Sequence, residues 1–171
     1  MWFLLASQTG LHSWIAAPPV SLDRGEKRAD AMPSQLFVYG TLMAAALGAA
    51  MGGPQRDRLG RESRNLGAAT IAGRLYDFGR YPGLVACGDA SERVHGEIVQ
   101  LADPAASFAW LDAYEDIVPG RVGNMYERVQ VAATLASGVR FDAWVYVYLG
   151  PLDDRPPIAS GRWNIGPQSV G

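Results

Sequence analysis

The dipeptide Asp103-Pro104 does most to constrain what this chain can fold into. Aspartate is a good helix N-cap because its carboxylate takes a free N–H of the first turn. Proline suits the first helical position, where its missing N–H costs nothing. The pair predicts a helix running to about Asp116, and strand-forming stretches lie on both sides of it. Tyr126 to Leu135 and Phe141 to Leu149 alternate apolar with polar residues, and the turn-like link Ala136-Ser137-Gly138 predicts that they form a hairpin. Ahead of the helix, Gln35 to Tyr39 is a short β-prone run ended by Gly40. Ala68 to Tyr76 reads as one strand bent at Gly73, and Asp77 to Pro82 as a turn. Leu84 to Cys87 and Val94 to Leu101 read as two further strands, with Gly96 marking a bulge or a close backbone approach. Met43 to Met51 is rich in Ala and Leu, with Thr41 placed to cap it, and predicts a short helix ended at Gly52-Gly53-Pro54. Gln55 to Arg64 is polar and reads as loop or frayed helix. Strand, helix, several strands, helix, two strands is the order of an α+β domain, not of a regular βαβ series.

The 171 residues are 49% hydrophobic and 19% charged, which suits one domain with its own core. The expected organisation is a disordered N-terminal extension over residues 1–33, a domain over 34–165 and a tail over 166–171. Asp23 to Asp30 is charged without apolar periodicity, as a solvated linker is. The N-terminus lacks the basic n-region of a secretory signal. A net charge of −2, with both signs spread along the chain, supplies no basic stripe for nucleic acid and no polybasic cluster for a membrane surface. No apolar run approaches the ~20 residues of a membrane span. Cys87 is the single cysteine, so no intrachain disulfide forms, which fits a reducing cytoplasm. Two histidines, His12 and His95, are too few for a histidine-rich metal site. Lys27 is the lone lysine, and the excess of Arg, Ala and Gly is the usage of a GC-rich bacterial genome.

Glu115 is the most informative single residue. On a helical wheel Phe108 and Leu111 define the buried stripe of the helix, and Glu115 falls between them. A carboxylate on an apolar stripe is costly unless it is partnered or useful. Its plainer reading is a carboxylate at a frayed helix end in solvent. Asp112 and Asp116 fall to one side, where water reaches them. The second piece is Tyr39-Gly40-Thr41-Leu42, where a strand hands over to a helix. Glycine permits close approach of a ligand, and free N–H groups at a helix start hold anions. Other residues read more plainly. Cys87 with His95 as base is disfavoured, since a lone Cys in an apolar run is a small core residue. Glu97 alternates along a strand and reads as solvent face rather than a second carboxylate of the site. Arg74 and Arg128 read as surface or ion-pair residues. Trp144, Tyr146 and Tyr148 share one strand face and read as packing.

Several short motifs occur together in order. Phe37 to Leu42 comes first, then Gly73-Arg74-Leu75-Tyr76-Asp77, Tyr81-Pro82-Gly83-Leu84 and Val94-His95-Gly96-Glu97. Leu111-Asp112-Ala113-Tyr114-Glu115, Tyr126-Glu127-Arg128 and Ser160-Gly161-Arg162-Trp163 follow. The set, spanning about Leu36 to Trp163, closely resembles the γ-glutamylcyclotransferase-like family in its AIG2-like branch. The sequence departs from the family pattern at three places. Arg162 stands where an acidic residue is common, Met43-Ala44 follow the loop where a basic or polar residue is frequent, and the loop has Thr41 where some glutathione-acting relatives have Ser.

The resemblance implies a mixed, barrel-like sheet with a few helices and a cavity at one end. It implies a small-molecule γ-glutamyl substrate that cyclises to 5-oxoproline and releases an amine, with no metal or organic cofactor. It gives Glu115 the role of general base, assigns γ-glutamyl binding to the backbone of Tyr39, Gly40, Thr41 and Leu42, and makes Tyr126 a pocket residue. Two other functions stand beside it: a ligand-binding protein that keeps the pocket without turnover, and an amide hydrolase in which Glu115 activates water. The leaving amine and the oligomeric state are left open.

Overall fold

The structure is a computed structural model that describes residues 33–47, 49, 51–86 and 91–163. The expectations for the extension and the tail, and for Cys87, lie outside these residues. Among the described residues nine elements follow in order: β1 Gln35–Val38, α1 Gly53–Glu62, β2 Ser63–Ala72, β3 Arg74–Asp77, β4 Pro82–Val85, β5 Arg93–Leu101, α2 Pro104–Tyr114, β6 Tyr126–Leu135 and β7 Arg140–Tyr148. Five strands close a barrel in the order β1-β5-β2-β6-β7, while β3 and β4 form a separate two-stranded sheet. The closure is a parallel contact of β1 with β7 through Leu36 and Trp144; the other neighbours are antiparallel. This is the α+β, barrel-like architecture expected, and the β6–β7 hairpin forms across the anticipated turn.

Strand alternation divides the apolar residues into two cores. Phe37, Ile71, Val94, Ile98, Val145 and Val147 belong to the cluster inside the barrel. Leu36, Val38, Val99 and Tyr146 belong to a second cluster that includes Leu59 of α1 and Phe108 and Leu111 of α2. The face of Trp144, Tyr146 and Tyr148 is therefore the outer face of β7, against which α2 packs. Phe108 meets Trp144 edge to face with ring centroids 5.9 Å apart. Gly96 is required for closure. A Cβ there would lie 2.1 Å from the carbonyl oxygen of Val38 and 2.7 Å from the Phe37 ring.

Three local expectations are corrected. Ala68 to Tyr76 is not one bent strand. Gly73, at φ 153°, passes the chain from the barrel strand β2 to β3 in the second sheet. Met43 to Met51 is not a helix. Its described residues form successive tight turns, with Met43 N–H on Gly40 O and Ala46 N–H on Met43 O. An α-helix would place the Ala45 N–H on Thr41 O. Both groups are taken by side chains from elsewhere: Glu97 of β5 accepts from Ala44 N and Ala45 N at 3.0 and 3.4 Å, and Arg56 of α1 donates to Thr41 O at 3.1 Å. Tertiary hydrogen bonds thus override the helix propensity of alanine. The helix lies later, at Gly53–Glu62, in the stretch expected to be loop or frayed helix. Gly52 in the left-handed conformation and Pro54 start it. Buried Leu59 anchors it, and Glu62 accepts from the indole of Trp110 at 2.8 Å.

Candidate active site

Helix α2 begins as the sequence predicts. Asp103 caps it, accepting from Ala106 N at 3.1 Å. Its end sets the position of Glu115. The Glu115 N–H still reaches Leu111 O at 3.0 Å; then Asp116 takes φ 54° and the chain reverses. Ile117 N–H returns to Asp112 O at 2.8 Å and Asp116 N–H to Ala113 O at 3.3 Å. This six-to-one, five-to-two pair is a Schellman stop, in which the left-handed position usually holds glycine. Arg121 braces it, reaching the Asp116 carboxylate at 2.9 Å. Glu115 therefore sits at a fixed helix end, not a frayed one, and lines a cavity of about 360 Å³.

The cavity lies where β1 and β7, running parallel, both end. Phe37 to Leu42 from the end of β1, Tyr146 and Tyr148 from β7, and Met125 and Tyr126 at the start of β6 contribute to its wall. Tyr81 and Pro82 close another side. Gly40 is pressed against them: a Cβ on it would lie 2.9 Å from Pro82 Cγ. The structure thus brings all six sequence-predicted residues, Glu115, Tyr39, Gly40, Thr41, Leu42 and Tyr126, to one cavity.

Burial among these groups raises the Glu115 carboxyl to about 7. A tyrosine-rich wall surrounds it. Burial, and then the charge of Glu115, push the phenols of Tyr39 and Tyr126 above their usual value. Each phenol therefore stays a neutral O–H at ordinary pH. Tyr39 donates to Tyr146 O at 2.9 Å, and Tyr126 meets the Tyr148 ring edge-on at 5.4 Å. In the wall of the same cavity, the N–H groups of Gly40, Thr41 and Leu42 have no hydrogen-bond acceptor among the described residues. The cavity thus joins one weakly acidic carboxyl to a turn of free backbone donors. That pairing can move a proton at one end of a ligand and hold an anionic or developing-anionic oxygen at the other.

Asp112 does not lie open to water as expected. It accepts from Arg128 at 2.9 and 3.1 Å and from the Tyr146 hydroxyl at 2.7 Å. The Arg128 guanidinium stacks over the Phe108 and Trp144 rings at 4.0 and 4.7 Å. This network locks α2 onto β6 and β7 one helical turn from Glu115. Glu97 stands away from the cavity, holding the turn at Ala44 and Ala45 and accepting from Asn65 at 3.0 Å. Arg74 pairs with Glu92. His95 lines a separate hollow with Arg162. Among the described residues no three His, Cys, Asp or Glu side chains converge as metal ligands would. Nor is any helix among them long and apolar enough to cross a membrane. Sequence reasoning missed Arg56, Asp112 and Tyr146. Only Asp112 carried a signal, as an acid three residues before Glu115 on the same helix.

The sequence model of the family described as γ-glutamyl cyclotransferase, AIG2-like, matches residues 36–165. The chain belongs to that family. It is 34% identical over 90 residues to the γ-glutamylcyclotransferase family protein YtfP of Escherichia coli K12, covering 53% of this chain and 66% of YtfP, just under two thirds of that relative's length. The solution structure of E. coli YtfP matches with a TM-score of 0.51 at 31% identity, over 75% of this chain and 95% of that one. An AIG2-like protein of Mus musculus shares the fold at 19% identity and TM-score 0.57, over 78% and 90% of the two chains. YkqA of Bacillus subtilis does so at 22% identity and TM-score 0.55, over 77% of this chain but 40% of YkqA. The fold is thus shared with these three proteins, and the cavity at the end of the barrel is built from this chain's own residues.

Proposed function

We propose that this member of the family is a cyclotransferase that converts a γ-glutamyl amine or peptide to 5-oxoproline and the free amine. The observation that carries the reading is the carboxyl of Glu115, raised to about 7, in one cavity with the unpaired amides of Gly40 to Leu42. The substrate's α-ammonium must lose a proton before its nitrogen can attack. Glu115 as carboxylate takes that proton, and the α-nitrogen bonds to the γ-carbonyl carbon. As the amide C–N bond breaks, Glu115 returns that proton to the leaving nitrogen, then takes the second proton from the ring nitrogen and passes it on, so the amine leaves as an ammonium ion. No water is consumed and the base is regenerated. The reaction is intramolecular, so a wall that holds the glutamyl chain bent supplies much of the rate. The amides of Gly40 to Leu42 hold the α-carboxylate or the oxyanion forming at the γ-carbonyl. The tyrosine wall excludes water, which separates cyclisation from hydrolysis to free glutamate. A cytoplasmic location belongs to the same reading.

The test is product analysis. Purified protein and a Glu115→Gln variant are incubated with γ-glutamyl amines and peptides, and 5-oxoproline, glutamate and released amine are measured by mass spectrometry. Glutamate in place of 5-oxoproline would make the protein a hydrolase. Binding without turnover across the panel would make it a ligand-binding protein.

A further inference from the structure

Arg56 occupies the first turn of α1, where its backbone N–H bonds to Gly52 O at 2.8 Å. A cation there opposes the helix dipole. The Arg56 Nε atom is also buried, with no hydrogen-bond partner among the described residues. Both features cost stability. They are offset by the Nη1 atom, which donates to Thr41 O at 3.1 Å and to Ala46 O at 2.6 Å.

In a trans peptide the N–H points opposite to the C=O. Thr41 C=O and Leu42 N–H belong to one such unit. Thr41 and Leu42 line the cavity and Arg56 does not. Drawing the Thr41 oxygen towards α1 turns the Leu42 N–H the other way, towards the cavity. The unit before it is fixed likewise, since Gly40 O accepts from Met43 N at 3.0 Å and the Thr41 N–H points away from that bond. A guanidinium on the carbonyl also polarises the peptide and makes its N–H a stronger donor. Without Arg56, only the 3.4 Å contact of Ala45 N with Glu97 stands between Thr41 O and the Ala45 N–H, the bond of an ordinary helix.

We infer that Arg56 is a positioning residue: it holds the Thr41–Leu42 peptide with its N–H facing the ligand and strengthens that N–H as an anion donor. The inference rests on the reading of the cavity as a γ-glutamyl site. The probe is 5-oxoproline, titrated into the full-length ¹⁵N-labelled protein while the Leu42 amide resonance is followed. Turnover of a γ-glutamyl amine is measured alongside. Arg56→Gln is expected to stay folded, to move the Leu42 resonance and to weaken 5-oxoproline binding about tenfold or more. Its kcat/KM should fall on the order of 100-fold, the range for losing one such donor, and millimolar guanidinium should restore part of it. Arg56→Lys keeps the charge but not the planar fork. It should keep the fold and shift the same readouts less, in the same direction, and it decides the matter should the Gln variant not fold.

A Leu42 resonance and a 5-oxoproline affinity unchanged in the variants would overturn the inference, as would a folded Gln variant whose lost activity guanidinium does not restore. The two readings fail separately. A wild type that binds 5-oxoproline through Leu42 but cyclises nothing sinks the catalytic reading alone. A wild type that makes 5-oxoproline, with variants unchanged at Leu42, sinks the role of Arg56 alone.

Discussion

The Tyr39 hydroxyl donates to the carbonyl oxygen of Tyr146 at 2.9 Å, joining the end of β1 to β7 inside the cavity wall. Tyr146 in turn donates its own hydroxyl to Asp112 at 2.7 Å, on the helix that carries Glu115. The loop proposed to bind substrate and the proposed base are thus held by one chain of hydrogen bonds. Its members come from three places far apart in sequence: the end of β1, α2 and β7.

The pH dependence follows from the Glu115 carboxyl, raised to about 7 by burial. The base form is populated above that value. With a γ-glutamyl amine as substrate, kcat/KM should rise about tenfold per pH unit below pH 7 and level off above it. A profile flat from pH 5 to 8 would remove Glu115 from the role of base.

The same raised carboxyl makes a stability prediction. A folded-state value above the unfolded one means that the native state binds the extra proton. Stability is then fully present below the unfolded value and falls as pH rises through about 7. Glu115→Gln removes this loss. It should be near neutral at pH 4 and stabilising at pH 8 by up to roughly 3 kcal/mol. Denaturant melts at both pH values check the sign. Equal effects at the two would contradict it.

Asp112 and Arg128 form a pair whose side chains are 28% and 21% exposed. Asp112→Ala leaves the Arg128 charge without its partner and should cost roughly 2 kcal/mol. The double variant with Arg128→Met should lose less than the single change, because no uncompensated charge remains. Urea melts of the cycle give the coupling directly.

Gly96→Ala places a methyl 2.1 Å from Val38 O, on backbone that cannot move without opening the β1–β5 contact. The variant should lose about 3 kcal/mol or fail to fold. Gly120, exposed and with nothing near its Cβ position, is at φ 77° and would show only the backbone strain of a left-handed alanine, roughly 1 kcal/mol.

The charge of the cavity predicts its preference among leaving groups. Among the described lining residues the charged side chains are Glu115 and Asp116, and none is Lys, Arg or His. A leaving amine that carries its own carboxylate meets no cation there. Neutral or cationic amines should be released with kcat/KM higher by on the order of tenfold. A panel of γ-glutamyl amines and γ-glutamyl amino acids measures it. The opposite order would mean that a cation reaches the site.

The parts legible in the sequence were those whose signal is local. The Asp103-Pro104 start, the hairpin at Ala136 to Gly138 and the wheel position of Glu115 each depend on neighbours in the chain. The parts that were not legible depend on partners distant in sequence. Met43 to Met51 carries helix propensity, yet Glu97 of the distant β5 and Arg56 of the helix that follows claim its backbone groups. The helix at Gly53–Glu62 shows no apolar stripe, because Leu59 is its one buried residue. Asp112 sits where a helical wheel gives it to solvent, and only the fold brings Arg128 and Tyr146 to it. Trp144, Tyr146 and Tyr148 share one face, as their period of two predicts; only the fold makes that face the outer one, with the cavity opening beside it.

The most direct test of the central claim is the product formed from a γ-glutamyl amine by wild type and by Glu115→Gln. Glu115 as the base of a cyclisation requires 5-oxoproline and an equal amount of free amine from wild type, and a rate lower by about 100-fold or more in the variant, with the fold retained. Free glutamate from wild type, or 5-oxoproline formed equally fast by the variant, would contradict it.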